Sequence, residues 1–260
     1  PAPPATDSLA GNGSPAPAES APAAPAPAAP PAAPPAEAPG AETTVGPAVV
    51  APAARLVYDL VGEVRQMQYH AQAELLWRHD GQKYEARLTV SAFLVGSRTQ
   101  SSEGSLTPQG LAPSRFSDKR RRGEQATHFD RARERIVFSA NSPEAPLQPG
   151  AQDRLSLLLQ LGALMGGDPA RFAPGSQLSF QTAGPREAEA WQFTVEGPET
   201  LSAAGRAVDT LKLVRQPRKT YDIRVELWLD RAPPHLPVRT RITQSNGDYL
   251  DQTLRSIEAP

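Results

Sequence analysis

The chain has 260 residues, 29 prolines, no cysteine and a formal net charge of −1 at pH 7. The missing cysteines exclude disulfides, thiol nucleophiles and thiolate metal sites. The even charge balance argues against a dedicated nucleic-acid binder, which concentrates positive charge.

Residues 1–54 hold 15 of the prolines, mixed with Ala, Gly and small polar residues, and no Lys, Arg, Phe, Tyr or Trp. Such a stretch cannot bury enough apolar surface to offset its ordering entropy, so a disordered Ala/Pro-rich linker is expected over 1–54. Alternating Ala and Pro favour extended polyproline conformations, which suit a spacer. No segment approaches the ~20 apolar residues of a membrane span. The sequence opens on Pro1, and a spacer at that position implies a missing signal peptide or N-terminal anchor ahead of it. The expected location is the periplasm, tethered to the inner membrane.

Residues 55–260 read as a single antiparallel β domain. The first hairpin is the clearest: Tyr69, Ala71, Ala73, Leu75 and Trp77 alternate with polar residues, and after Asp80-Gly81 the alternation resumes at Tyr84, Ala86, Leu88, Val90 and Ala92. Period-two alternation around Asp-Gly predicts a hairpin with a type I′ turn, one face apolar and one wet. Shorter strands are predicted over 55–63, 98–106, 111–116, 124–129, 133–139, 177–183, 188–195 and 205–215. Near the end, Tyr221, Ile223, Val225, Leu227 and Leu229 share one face, with Trp228 on the polar side. A strand from Val238 then turns at Asn246-Gly247 into 249–257.

One stretch departs from this pattern. Asp153 to Met165 reads D-R-L-S-L-L-L-Q-L-G-A-L-M and is followed by Gly166-Gly167. It predicts a helix near 153–165, capped by Asp153 and ended by the glycines. Leucines lie all around it, so the helix is buried. The fold class that follows is mostly β: a curved antiparallel sheet or partly closed barrel wrapped around one apolar helix. A β-sandwich with the helix across one end is the rival.

Five short motifs carry a family resemblance: G-L-A-P at 110–113, H-F-D at 128–130, Q-D-R-L-S at 152–156, E-L-W-L-D at 226–230 and L-P-V-R at 236–239. Their order and spacing over about 55–257 resemble an uncharacterised family of exported proteobacterial proteins known only as a domain of unknown function. The resemblance implies a β-rich fold and an envelope location, and carries over no reaction.

No catalytic constellation emerges. His128 and Asp130, two apart on a strand, share a face and could orient an imidazole, but read more simply as a strand-end pair. Ser156 near a helix start reads as a local cap. Glu226 and Asp230 alternate with Arg224 and read as a solvated, ion-paired sheet face. No enzyme activity, cofactor or metal is therefore expected. Two surfaces remain as candidate sites. An apolar ligand between sheet and helix would touch Trp77, Tyr84, Leu155, Leu158, Leu159, Met165, Trp191 and Phe193. The run Lys119, Arg120, Arg121 and Arg122 could meet an anionic surface, or be a charged hairpin tip that discourages edge pairing. The functional expectation is a non-enzymatic cell-envelope protein that binds an apolar or lipid-like ligand. The alternative is a structural module that docks an envelope partner through its sheet face or basic hairpin.

Overall fold

The computed structural model describes residues 43–92 and 96–260; most of the expected linker, residues 1–42, lies outside the described residues. Its strands follow the predicted alternation. The first wing comprises β1 (Ala54–Val64), β2 (Met67–His79), β3 (Lys83–Ala92), β4 (Gly96–Thr107), β5 (Gly110–Arg120), β6 (Gly123–Asp130), β7 (Arg135–Phe138) and β8 (Ala145–Pro146). Then come β9 (Gln152–Asp153), the helix α1 (Ser156–Gly167) and a 3-10 turn (Pro169–Phe172). The second wing continues with β10 (Gln177–Ala183), β11 (Ala188–Ala203), β12 (Arg206–Arg215), β13 (Arg224–Asp230), β14 (Pro237–Thr243) and β15 (Tyr249–Glu258).

All fifteen strands form one open, curved sheet in the order β8 to β1, then β15 to β9. Within each wing every strand pairs with its neighbour in sequence, and the wings join where β1 pairs antiparallel with β15. The free edges approach each other through side chains: Gln181 of β10 donates to the Pro146 carbonyl at 2.7 Å and accepts the Gln148 N–H at 2.8 Å. This is the curved sheet around one helix that the sequence predicts.

The turns differ in detail from expectation. At Asp80-Gly81 only Gly81 takes a positive φ, 90°, so the turn is not type I′. Asp80 Oδ1 instead accepts the N–H groups of Gln82 and Lys83 at 2.8 and 2.7 Å and holds a longer connection. The tight two-residue turn is at Arg65-Gln66, with φ of 51° and 65° between the paired Val64 and Met67. Just before it, the Tyr69 ring covers Gly62, where a Cβ would meet the ring at 2.1 Å.

The helix begins at Ser156, three residues later than predicted, because Gln152 and Asp153 pair with β10 as a short parallel strand. The N-cap is Leu155 rather than Asp153, whose Oδ1 accepts the N–H groups of Leu155 and Ser156 at 2.9 and 2.7 Å in the turn that leads into the helix. Every residue from Ser156 to Met165 is buried. Leu155 and Leu159 pack with β1–β7 around Trp77, Tyr58 and Phe116, whereas Leu157, Leu158, Leu161, Leu164 and Met165 pack with β10–β13 around Phe180, Trp191 and Phe193. The helix thus fills the space between the wings.

Three further expectations are corrected. Tyr221 is 89% exposed and precedes β13, which starts at Arg224 after a connection that contains Pro217. Trp228, on the polar side of β13, is buried on the outer face, with Lys212 and Arg239 stacked on its ring at 5.2 and 4.7 Å. Residues 43–53 fall in the stretch read as linker, yet they lie along the domain: Thr44 N–H donates to Ser179 O, Ala48 N–H to Pro108 O and Val49 N–H to Ala163 O.

Candidate binding cleft

Where helix and sheet meet, two polar side chains of Gln tie them together. Gln160 is one of only two polar residues within the apolar helix. Its Oε1 accepts the Leu111 N–H at 2.7 Å and its Nε2 donates to the Gln109 carbonyl at 2.7 Å. Gln152 donates to the Leu111 carbonyl at 2.8 Å. Both backbone groups of Leu111 are thereby satisfied as β5 starts under the helix, which matters because an unpaired buried amide costs about 1–3 kcal/mol. Gly110, with φ of 97°, has no Cβ because one would strike Gln160 Oε1 at 2.1 Å.

Two spaces flank Leu111. Inward, between Trp77, Leu159 and the β13–β14 loop, lies a void of about 10 Å³, room for one water at most. Outward lies a cleft of about 330 Å³, bounded by Thr107 and Gln109 of the β4–β5 turn, Leu111, Gln160 of the helix, Val45 and the 149–151 loop. That volume is at the lower end of the ~300–1,000 Å³ typical of small-molecule sites. The cleft is mixed in character. Leu111, Ala112, Val45 and Pro149 give it apolar wall, while Arg131 lines one side. The Arg131 guanidinium donates to the Pro113 carbonyl at 3.0 Å and forms no ion pair among the described residues.

Behind the cleft is a buried polar network. Tyr84 Oη lies 3.0 Å from Ser102 Oγ, Ser102 donates to Asp153 Oδ2 at 2.6 Å, and Ser156 Oγ accepts the Asp153 N–H at 2.9 Å. Burial pushes the Asp153 carboxyl up to about 6, against the lowering effect of the Ser102, Ser156 and Leu155 hydrogen bonds. The same burial raises the Tyr84 hydroxyl well above the usual phenol range. The network satisfies the polar groups at the helix start.

The residues singled out from sequence are placed as follows. Trp77, Tyr84, Leu155, Leu158, Leu159, Met165, Trp191 and Phe193 are all buried. They divide between the two cores, with Trp77, Tyr84, Leu155 and Leu159 on one side and Leu158, Met165, Trp191 and Phe193 on the other. Of these only Trp77 and Leu159 border the small void. Lys119, Arg120, Arg121 and Arg122 form the exposed end of β5 and its turn, with Arg120 paired to Asp118 at 3.2 Å. His128 is exposed on β6, and Asp130 Oδ1 accepts the Arg133 N–H at 3.0 Å in the β6–β7 turn. Among the described residues no group of three His, Asp or Glu could hold a metal ion. Glu226 pairs with Lys212 and Arg224, and Asp230 with Arg206.

Sequence reasoning missed Val45, Gln109, Leu111 and Gln160. A signal existed for one of them: a lone glutamine amid leucines must find a partner when buried. The cleft's outer wall could not be read, because residues 43–51 carry no periodic apolar pattern.

No helix among the described residues is long and apolar enough to cross a membrane. The fold is similar to the crystal structure of a beta-barrel-like protein of domain of unknown function DUF1849 from Brucella abortus, with a TM-score of 0.53 at 11% identity over 82% of this chain and 100% of that one. Lower scores relate it to a putative outer membrane lipoprotein-sorting protein domain from Vibrio parahaemolyticus (TM-score 0.29, 9% identity, 80% of this chain and 85% of that one). A DUF1329 family protein from Desulfovibrio piger scores similarly (TM-score 0.27, 9% identity, 80% and 86%). No curated protein matches the chain. The model of a family described as protein of unknown function, DUF3108, matches residues 65–255, nearly the whole sheet, and the chain belongs to that family.

Proposed function

We propose that this is a non-enzymatic cell-envelope protein that binds one lipid-like molecule in the cleft between β5, α1 and residues 44–45. The cleft beside Leu111 carries this reading, because it is where apolar wall and Arg131, a cation with no ion pair among the described residues, face the same space. An acyl chain would lie along Leu111, Ala112 and Val45, with its anionic end toward Arg131 and Gln160. Leu111 also borders the inner void. A chain longer than the cleft would have to displace Leu111 and part Leu159 from Trp77, drawing in the residues the sequence reading named. The envelope assignment rests on the spacer-like Ala/Pro composition of residues 1–54.

The filled interior favours a second reading, a docking module with no small-molecule ligand. One experiment separates them. Protein purified from its native host is extracted with organic solvent and the extract analysed by mass spectrometry. Binding of a fluorescent fatty acid is titrated in parallel for the wild type and Ala112→Trp, which fills the cleft from a half-buried position. The carrier reading expects near-stoichiometric acyl material and a probe affinity at least tenfold weaker in the variant. An empty extract together with no probe binding by the wild type would leave only the docking module.

A further inference from the structure

Antiparallel strands alternate in direction, so the turns of the sheet fall on two rims. The cleft opens on the rim that carries the β4–β5 and β6–β7 turns, since Thr107, Gln109 and Arg131 line it. The β1–β2, β5–β6, β12–β13 and β14–β15 connections all fall on the opposite rim, because β1 pairs antiparallel with β15 and Glu63 lies opposite Tyr249. Arg65 N–H donates to Asp248 Oδ1 at 3.0 Å, tying two of these turns together.

This rim has an unusual surface. At the β1–β2 turn Val64 is 43% and Met67 69% exposed, around the exposed Arg65. At the β12–β13 connection Tyr221 is 89% exposed, beside the exposed Arg218. The β5–β6 turn contributes Lys119 and Arg120–Arg122, all exposed. No ion pair engages Lys119, Arg121 or Arg122 among the described residues. Three of the six large apolar side chains exposed among the described residues, Met67 and Tyr221 the most exposed of them, therefore sit on the rim that also holds the densest run of positive charge.

We propose that this rim docks on the surface of an anionic lipid bilayer. Lysine and arginine are drawn to negatively charged headgroups, while an exposed Met or Val at a turn tip gains by entering the acyl boundary. Tyrosine is at home at headgroup depth. Charge alone would suit any acidic partner. What favours a bilayer is that apolar tips and basic residues stand on separate turns across several strands, a layout matched to a broad surface of uniform chemistry rather than to a pocket. The inference is independent of the cleft at the other end of the strands.

The full chain is floated with vesicles of phosphatidylcholine alone and of phosphatidylcholine mixed with phosphatidylglycerol, at low and high salt. Two variants altered only at exposed positions are compared: Lys119→Ala/Arg121→Ala/Arg122→Ala, and Met67→Ser/Tyr221→Ser. Partition to the anionic vesicles is expected to fall about a hundredfold in the charge variant, and about tenfold in the apolar variant at unchanged charge. Phosphatidylcholine alone should capture little. Absence of binding to anionic vesicles at low salt would overturn the proposal. So would an apolar variant that binds like the wild type while both are captured equally by soluble polyglutamate, since that pattern belongs to an acidic protein partner.

Discussion

Ser102 on β4 donates to the carboxylate of Asp153 at 2.6 Å, across 51 positions of sequence and wholly inside the domain. The carboxylate is bonded by hydroxyl and amide groups and, among the described residues, by no cation. Its folded-state value near 6 lies above the ordinary 3.8, so the folded protein holds that proton more tightly than the unfolded chain. The stabilising contribution is complete below the unfolded value and is lost as pH rises through about 6, an effect of about 3 kcal/mol at most. Asp153→Asn keeps the shape, retains an oxygen for the Leu155 and Ser156 N–H groups and cannot ionise. Denaturant melts of both proteins between pH 4 and 8 should show the variant gaining on the wild type as pH rises; parallel curves would contradict the assignment.

Acidic pH should act in the opposite sense at Asp222. Partial burial would raise its carboxyl, but the Arg218 and Ile223 amides and the guanidinium of Arg215 outweigh that and leave it below the usual carboxylate range. Its contribution is present above the ordinary carboxylate value and is lost as pH falls through the depressed one. Arg215 is 1% exposed, bonds both Asp222 oxygens at 2.9 and 2.8 Å, and stacks on Trp191 at 4.5 Å. Removing either partner strands the other, but Arg215 is almost wholly buried, whereas Asp222 is only partly buried and keeps the Arg218 and Ile223 amides when the cation is gone. Asp222→Ala should therefore cost about 3–5 kcal/mol near neutral pH and Arg215→Met distinctly less. The reverse ranking in urea denaturation would show that the pair is solvated.

Gly167 ends the helix directly under residues 47 and 48: a Cβ there would meet the Pro47 carbonyl oxygen at 2.1 Å. Alanine improves helix propensity by roughly 1 kcal/mol, but an overlap with backbone at that distance forces the segment away. Gly167→Ala should lift residues 43–50 off the domain while leaving both cores packed. Faster proteolysis within 43–50, with only a few degrees' change in Tm, is the expected result. Unchanged cleavage would mean that the segment is held elsewhere.

On the outer face, Arg239 stacks on Trp228 at 4.7 Å while its guanidinium bonds Asp251 through two nitrogens, one at 2.8 Å. Lysine preserves the charge but neither the planar stack nor the fork. Arg239→Lys should lose about 1–2 kcal/mol, measured by thermal melting, and a double-mutant cycle with Trp228→Leu should show coupling. Additive effects would remove the stack from the account.

Much of the sheet was legible because one physical rule wrote it. Alternation at Ala73, Leu75 and Trp77, or at Val225, Leu227 and Leu229, follows directly from strands with one buried face. The buried helix was legible for a related reason, since leucines on every side leave no face for water. Three things were hidden. Trp228 breaks the alternation because cations cover it rather than the core. Residues 43–53 are held mainly through backbone groups, which any sequence possesses. The cleft arises from the meeting of Leu111, Gln160 and Arg131, on three elements separated by up to 49 positions, and no local pattern announces such a junction.

The pairing of β1 with β15 places the first strand of the sheet beside the last, with Arg55 opposite Glu258. Each wing can zip hairpin by hairpin as it leaves the ribosome, but the edge of β1 that faces away from β2 has no partner until β15 is synthesised. Until then Leu56, Tyr58 and Leu60 occupy a bare margin at the centre of the future sheet, open to pairing with other chains. Joining partners about 200 residues apart is also the step with the largest loop-closure cost, which makes it the natural bottleneck of folding. A chain without β15 would forfeit the seam that makes two half-sheets one protein.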